Sequence, residues 1–179
     1  MRRAIRAELE GITPLDEMES SHLTQAFAWV DSGVELCRLA KPATPPVHLV
    51  SYFAVVDADH ILLVDHKNAK LWLPTGGHVE PNEHPRETVA RELKEELGMN
   101  IDQSAVSAPV MLTSSETVGL TAGHTDISLW YVIRGCRLTP LTFDESEFNA
   151  VNWFCFSEVP LSRADPNLGR FLRKLAREC

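Results

Sequence analysis

A short acidic stretch, RELKEEL, places Glu92, Glu95 and Glu96 within five positions of the chain. The spacing of apolar residues predicts a helix here, with the three carboxylates along one edge, beside the face that packs on the core. Glu92 and Glu96 carry like charges four residues apart, which costs an exposed helix about 0.2–0.5 kcal/mol. Oxygen ligands at this density suit Mg²⁺ or Mn²⁺. A solvated helix with ion pairs, such as Glu87 with Arg91, explains the same spacing, so spacing alone does not decide.

Two glycines precede this helix, in the tripeptide Thr75-Gly76-Gly77. We predict a loop here, because glycine lets the backbone approach a ligand closely and adopt either sign of φ. The carbonyl of Gly76 would add a further hard oxygen ligand. Free N–H groups where a loop enters a helix can bind phosphate. The glycine pair therefore favours a metal and phosphate site over a merely solvated helix.

Together these residues resemble the signature of the Nudix hydrolase family. In that signature, five residues separate a glycine from a glutamate, and seven more precede an Arg-Glu-apolar-x-Glu-Glu-x-Gly-apolar block. Every specified position is filled here, by Gly77, Glu83, Arg91, Glu92, Leu93, Glu95, Glu96, Gly98 and Met99. The strands around the signature also resemble the Nudix fold, over about residues 48–156. The resemblance implies an α/β (α+β) fold with a mixed β-sheet between α-helices, and hydrolysis of a nucleoside diphosphate linked to another group.

The resemblance also implies a role for each residue of the signature. Arg91 would orient the glutamates through ion pairs. Glu83 would support the metal site from behind or occasionally contact the metal. The ligands of a divalent cation, Mg²⁺ or Mn²⁺, would be Gly76, Glu92, Glu95 and Glu96.

A carboxylate must also accept the proton of the attacking water. In the family, this base is either a glutamate of the signature helix or an acid in a later loop. The later loop here, DESEFNAVNWF, offers Asp144, Glu145 and Glu147. We select Glu147 because it comes just before a predicted strand, although a solvated acidic turn explains it equally, and Glu92 among the helix glutamates. The predicted catalytic residues are therefore Arg91, Glu92, Glu95 and Glu147.

Residues outside the signature helix must recognise the rest of the substrate. Trp72 could stack on a base and His78 could reach a phosphate, whereas core packing and a local hydrogen bond are the alternatives for these two. The predicted substrate-binding residues are Trp72, Gly77, His78 and Glu83.

The identity of the substrate is predicted by elimination. The proline or tyrosine that marks the subfamilies for ADP-ribose and for dinucleoside polyphosphates is absent around residues 115–117. We therefore expect a nucleoside triphosphate pyrophosphohydrolase that resembles MutT. The alternatives are a pyrophosphatase for sugar nucleotides or ADP-ribose, and a Nudix-fold module that binds nucleotide without catalysis.

Hydrophobic periodicity predicts the elements that position these residues. Strands are expected at residues 48–56, 60–65, 71–74, on both sides of a turn at Gly123, and at 151–156. Helices are expected at residues 14–31, 85–97 and from Leu168 onward. We predict an N-terminal helical extension and linker over residues 1–45, ending in KPATPP, and a Nudix hydrolase domain over residues 46–179. The stripe of Leu23, Phe27 and Val30 should pack on that domain or on a second copy in a homodimer.

Composition restricts the partners. The chain has 179 residues and a net charge of −8, which disfavours binding of a nucleic acid polymer. Its arginine-containing N-terminus lacks an apolar stretch typical of a secretory signal, and no apolar run is long enough to span a membrane. The four cysteines show no zinc spacing and are expected to be free thiols. We therefore expect a cytoplasmic protein, and the resemblance to the Nudix family implies that its partner is a small nucleotide.

Overall fold

The computed structural model describes residues 1–40, 44–117 and 123–178. The helices are α1 (Arg2–Glu10), α2 (Glu17–Asp31), α3 (Pro85–Leu97) and α4 (Leu168–Glu178). The strands are β1 (Val47–Asp57), β2 (His60–His66), β3 (Leu71–Leu73), β4 (Thr75–His78), β5 (Met111–Glu116), β6 (Thr125–Arg134) and β7 (Phe148–Cys155). Short 3₁₀ helices lie at Gln103–Ala105, Phe156–Glu158 and Leu161–Arg163.

Strand β1 organises a mixed sheet. It runs parallel to β6 along almost its whole length and antiparallel to β2 and β4. The strand order is β3-β2-β1-β6-β5, with β4 paired to β1 and β7 paired to β2. The predicted mixed sheet is therefore confirmed, and its central strand is the one that begins just after the proline-rich segment.

Both faces of the sheet are covered by helices. On one face, Phe53 and Val55 of β1 belong to a hydrophobic cluster that includes Val89 and Leu93 of α3. On the other face, the intervening β1 residues join a second cluster with Phe171 of α4. Because successive side chains of a strand point to opposite faces, one apolar strand supplies both clusters. The prediction of a sheet between helices, with α3 packed through its apolar stripe, is confirmed.

Two elements differ from the sequence-based expectations. Residues 75–77 were predicted as a loop, but they lie in β4, where Gly76 is opposite Tyr52 and Gly77 is opposite Ser51. Pairing with the long strand β1, rather than strand propensity, makes this segment extended. Helix α1 was not anticipated, although Ile5 and Leu9 on one of its faces are buried. The predicted linker and the Gly123 turn lie partly outside the described residues, since 41–43 and 118–122 are not described.

The N-terminal helices pack on the same core as the sheet. Leu23 and Val30 of α2 are buried in the cluster that contains α3, and Phe27 packs against it. This confirms that the predicted stripe packs on the rest of the chain. The boundary between residues 45 and 46 stays a prediction, as does a homodimer. Within the described part of the chain, no helix is both long enough and apolar enough to cross a membrane.

A buried ion pair joins α2 to α4. Lys174 Nζ donates to Glu19 Oε1 at 2.6 Å, and both side chains are almost fully shielded from water. The same carboxylate accepts the backbone N–H groups of Leu112 at 3.1 Å and Leu15 at 2.7 Å. Burying charges is costly unless every one of them is paired, so loss of one partner should be more harmful than loss of both.

Glu19→Gln should lower the free energy of unfolding by about 3–5 kcal/mol, because it leaves the Lys174 ammonium buried without a counter-charge. Adding Lys174→Met to this variant should recover part of the loss. Glu17→Gln, on the exposed side of the same helix, is the matched control and should change stability little. Urea unfolding of the four proteins measures these differences. A Glu19→Gln variant as stable as the control would contradict the prediction.

Candidate active site

The bounds of α3 set the positions of its glutamates. His84 is the N-cap: its side chain accepts the N–H of Arg86, while Glu87 accepts the N–H of His84 at 2.7 Å. Pro85 occupies the first turn, and Gly98 ends the helix with a φ of 64°. These bounds confirm the predicted helix over residues 85–97. The buried stripe then turns the acidic edge of α3 toward β4.

Glu92 lies directly over the backbone of β4. A Cβ atom placed on Gly77 would come within 1.8 Å of Glu92 Oε1. The neighbouring Gly76 is more tightly restricted, since a Cβ there would lie 2.5 Å from the backbone carbonyl oxygen of Ser51. Gly76 is therefore required by contact with the backbone of β1, whereas a side chain on Gly77 would have to displace the side chain of Glu92.

Arg91 is the centre of an ion-pair network. It donates to both oxygens of Glu83, from Nε at 2.9 Å and from Nη2 at 3.1 Å. Its Nη1 atom donates to Glu92 at 2.6 Å and to Glu95 at 3.4 Å, and Nη2 donates to the carbonyl of His78 at 3.3 Å. The hydrogen bonds with Glu83 raise the pKa of Arg91. One guanidinium thus holds the helix, the preceding segment and β4 in one arrangement.

Glu83 is saturated by its neighbours. Besides the two bonds from Arg91, it accepts Thr88 Oγ1 at 2.7 Å and the N–H of Glu80 at 3.1 Å. Although its partial burial opposes ionisation, these bonds together lower its pKa. The supporting role that the resemblance implies for Glu83 stays a prediction.

Glu96 is the least satisfied carboxylate of the site. Only 8% of the residue is exposed, and its Oε2 atom is buried without a hydrogen-bond partner in the part of the chain that the structure describes. Burial raises its pKa to about 9, with further contributions from the negative charges of Glu92 and Glu147, while a hydrogen bond from the Gly76 backbone acts in the opposite direction. Burial also raises the pKa of Glu92. The site therefore contains several carboxylates close together, and the nearby positive charge does not fully compensate their negative charges.

The later acidic loop is brought to the same place. The N–H of Asp144 donates to the carbonyl of Glu96 at 3.0 Å, and the N–H of Lys67 donates to the carbonyl of Glu147 at 2.9 Å. Glu147 is exposed, and it is close enough for its charge to raise the pKa of Glu92 and Glu96. Asp144 is instead engaged with the N–H of Ser146 at 2.7 Å.

The remaining predicted residues lie in different surroundings. Trp72 packs edge-on against Phe154, with ring centroids 5.0 Å apart, in the hydrophobic cluster that contains α4. The ring of His78 lies beside His48 and His124. Roles for Trp72 and His78 in substrate binding stay predictions.

Sequence reasoning did not identify the group of residues around His78. His48, His124 and Asp126 are separated along the chain from β4, and only strand pairing brings them together. The three histidines and the aspartate can be recognised as one cluster only when the register of β1 with β6 is known.

Comparisons with known proteins agree with the fold. The NUDIX domain family matches residues 47–175. The crystal structure of a MutT NUDIX hydrolase from Burkholderia pseudomallei has 21% sequence identity and a TM-score of 0.57, covering 72% of this chain and 97% of that chain. A NUDIX-family hydrolase from Clostridium perfringens has 25% identity and a TM-score of 0.55, covering 74% and 98%. The E. coli dihydroneopterin triphosphate pyrophosphohydrolase has 15% identity and a TM-score of 0.55, covering 78% and 99%. No curated protein sequence matches.

The raised pKa of Glu96 predicts that the metal-free protein becomes less stable as the pH rises. Its carboxyl binds a proton more tightly in the folded protein, with a pKa of about 9, than in the unfolded chain, near the ordinary value of 4.5. Stability should therefore fall as pH rises through this interval. Glu96→Gln does not titrate, so it should become increasingly more stable than the wild type between about pH 5 and pH 9. Urea unfolding in the presence of a chelator tests this, and parallel pH profiles would refute it.

The contact between Gly77 and Glu92 predicts a steric effect on catalysis. Gly77→Ala should displace the Glu92 carboxylate by an ångström or more, and turnover should fall by about 100-fold or more. Gly169→Ala is the control, because its Cβ would meet only Leu161 methyl carbons at 3.4 Å or beyond. Steady-state hydrolysis assays and thermal melts of both variants measure the effect. Full activity in Gly77→Ala would show that this close contact is not needed.

Proposed function

Because the chain belongs to the Nudix family of hydrolases, we propose that it cleaves the diphosphate linkage of a small nucleotide with a divalent cation held by the acidic edge of α3. The proposed ligands are the Gly76 carbonyl and the carboxylates of Glu92, Glu95 and Glu96. The proposed cation is Mg²⁺ or Mn²⁺, since both prefer oxygen ligands.

One observation carries the proposal. Among the described residues, Glu96 Oε2 is buried without a hydrogen-bond partner, and burial together with the negative charges of Glu92, Glu147 and Glu95 raises the pKa of the same carboxyl group. Such an arrangement is unfavourable in the isolated protein, and a cation would reverse the sign of these interactions. Hard oxygen donors around an uncompensated buried carboxylate therefore fit the group that the family implies.

The cation, when bound, neutralises phosphate charge, lowers the pKa of a water molecule and stabilises the leaving oxygen. Arg91 keeps the Glu92 carboxylate in position through its 2.6 Å hydrogen bond, while Glu83 anchors the guanidinium from the other side. This anchoring limits the motion of Glu92 during the reaction. Glu95, with a side chain that is 60% exposed, can adjust to a ligand at the surface of the site.

Glu147 is the proposed general base. Its side chain is exposed beside two carboxylates that have raised pKa values, and its loop is tied to the end of α3. A base must be able to reach the attacking water and then release the proton to solvent. An exposed carboxylate at the rim meets both requirements better than the buried Glu96. Glu92 is the alternative base.

The proposed substrate is a nucleoside triphosphate, cleaved to the monophosphate and pyrophosphate. The support is the absence of the marker residues of other subfamilies from residues 115–117. The acidic edge itself requires only bridged phosphates, so sugar nucleotides, ADP-ribose and dihydroneopterin triphosphate belong in the test panel.

The proposed function is tested with this panel in the presence of Mg²⁺ or Mn²⁺, scoring release of phosphate and pyrophosphate. Hydrolysis in ¹⁸O-labelled water then identifies the phosphorus atom attacked. If ADP-ribose or a sugar nucleotide turns over rapidly while triphosphates are not cleaved, the proposed substrate is wrong and the cleaved compound takes its place. No cleavage of any compound, combined with tight nucleotide binding, would favour the non-catalytic binding module.

The proposed base is tested by comparing two glutamates of one loop. Glu147→Gln should lower kcat by about 100-fold or more and leave binding of Mn²⁺ nearly unchanged, because it removes a proton acceptor and not a ligand. Glu145→Gln, two residues away and also exposed, should keep wild-type activity. Glu92→Gln should weaken Mn²⁺ binding as well as turnover. If Glu147→Gln keeps the wild-type kcat, Glu147 is not the general base, and Glu92 becomes the proposed base.

A further inference from the structure

A second group of possible metal ligands lies at the end of β4, outside the acidic edge of α3. Its members, His48, His78, His124 and Asp126, each offer one ligand atom, and these atoms all lie within 4.8 Å of one another. Asp126 Oδ1 is 3.2 Å from Nε2 of His48 and 3.4 Å from Nε2 of His124. It is 3.7 Å from Nε2 of His78. Three imidazole rings thus converge on one carboxylate oxygen.

The sheet holds these residues together. His48, near the start of β1, is opposite Asp126 of β6 in the parallel register. His124 is only two residues before Asp126, and His78 is the last residue of β4, opposite Val50 of β1. Strand pairing therefore sets the backbone positions of His48, His78 and Asp126, while His124 directly precedes β6 and its carbonyl accepts the N–H of Thr117 at 2.9 Å.

The hydrogen bonds of His48 leave its Nε2 atom as an acceptor. The ring is fully buried, and Nδ1 lies 2.9 Å from the carbonyl oxygen of Pro45. A carbonyl can only accept, so Nδ1 carries the hydrogen and, in the neutral ring, Nε2 presents a lone pair. That lone pair faces Asp126 Oδ1, which is also an acceptor. Both atoms are buried, and neither has a hydrogen-bond partner among residues 1–40, 44–117 and 123–178.

His124 is arranged in a similar way. Its Nδ1 atom is 3.2 Å from Thr117 Oγ1, and this hydroxyl donates to the His124 carbonyl at 3.0 Å. The hydroxyl can therefore accept from Nδ1–H, which again leaves Nε2 with a lone pair toward Asp126. Bonds of this kind on the distal ring nitrogen are what orient histidine ligands of metal ions. Facing acceptors are repulsive unless a cation or a proton lies between them.

We propose that His48, His78, His124 and Asp126 bind one transition-metal ion of the Zn²⁺ type, at a site distinct from that of the α3 glutamates. Zinc binds imidazole nitrogen and carboxylate oxygen at about 2.0–2.2 Å in tetrahedral geometry, which separates the ligand atoms by roughly 3.3 Å. The three distances from Asp126 Oδ1, 3.2 to 3.7 Å, are close to this value. Mg²⁺ would not suit a site dominated by imidazole.

Four protein ligands make the site closed, which is typical of structural zinc. The ion would connect the ends of β1, β4 and β6. Because the carbonyl of His78 accepts a hydrogen bond from Arg91, the same ion would also steady the arginine that positions Glu92. The Nη1 atom of Arg38 lies 3.4 Å from His78 Nε2, so metal binding requires His78 to exchange this contact for the ion. His78 and Asp126 are partly exposed and provide the entry path.

The full chain, freed of metal with a chelator and then dialysed, is titrated with Co²⁺ and Zn²⁺ in excess Mg²⁺. One equivalent of Co²⁺ should produce the intense visible absorption of a tetrahedral site, Zn²⁺ should abolish it, and Zn²⁺ should raise the Tm. His48→Gln and Asp126→Asn should each weaken Zn²⁺ binding by about 100-fold or more, since even loss of a residue that supports a ligand costs 10–100-fold.

Two controls separate this site from others. His60→Gln removes a histidine that pairs with Asp59 at 2.7 Å elsewhere in the chain, and it should keep full Zn²⁺ affinity. Glu92→Gln/Glu96→Gln should also keep the tetrahedral Co²⁺ spectrum, because those carboxylates are not ligands here. If the spectrum survives in His48→Gln and disappears in the double glutamate variant, the ion occupies the glutamate site and the proposal is wrong.

The competing arrangement is a proton shared between a histidine and Asp126. In that case Zn²⁺ would not change the Tm of the wild type, and metal-free Asp126→Asn would be clearly less stable than the metal-free wild type. The zinc site predicts the opposite: Zn²⁺ raises the Tm of the wild type far more than that of Asp126→Asn, and metal-free Asp126→Asn is at least as stable as the metal-free wild type, because the amide can donate to His48 Nε2. Folding of each variant is checked first by its far-UV circular dichroism.

Discussion

The packing of α3 against the sheet places its carboxylates where water cannot fully solvate them. Val89, Leu93 and Leu97 are essentially inaccessible, and burial of each such side chain contributes roughly 1.5–3 kcal/mol. The repulsion between like charges four residues apart is about 0.2–0.5 kcal/mol on an exposed helix. Although burial enlarges that repulsion, the apolar face is strong enough to hold the acidic edge against β4. The reactive geometry is therefore supported by ordinary hydrophobic packing.

Electrostatic compensation in this region is incomplete. Arg91 is shared among three carboxylates and a backbone carbonyl, and its strongest contacts go to Glu83 and Glu92. Glu96 lies deeper and receives a backbone hydrogen bond from Gly76, but it has no cationic partner among the described residues. In a chain with a net charge of −8, distant charges do not make up this deficit. A cation held at this edge, as proposed above, would supply the missing positive charge.

Strand β1 supports both groups of candidate ligands. Its middle residues pair with β4, and this pairing places the backbone of β4 under the acidic helix. The same pairing leaves no room for a Cβ atom on Gly76. Its first residues pair with β6 and set His48 opposite Asp126. The hydrogen bond from Arg91 to the carbonyl of His78 connects the two groups through one end of β4. The two groups therefore share one short strand, β4, and not only a loop.

Local sequence determined α3 and its chemistry, because its cap, its N-terminal proline, its apolar period and the terminal glycine all act within a few residues of the helix. The spacing of the signature likewise required no knowledge of distant segments. Tertiary structure alone decided that two glycines form a strand, since β4 is extended by pairing with β1 and not by its own propensity. It also decided that α1 is buried, because the few apolar residues of this charged helix find a partner only in the assembled core. The meeting of His48 with Asp126 depends on the register of two parallel strands far apart in sequence, and no local pattern specifies that register.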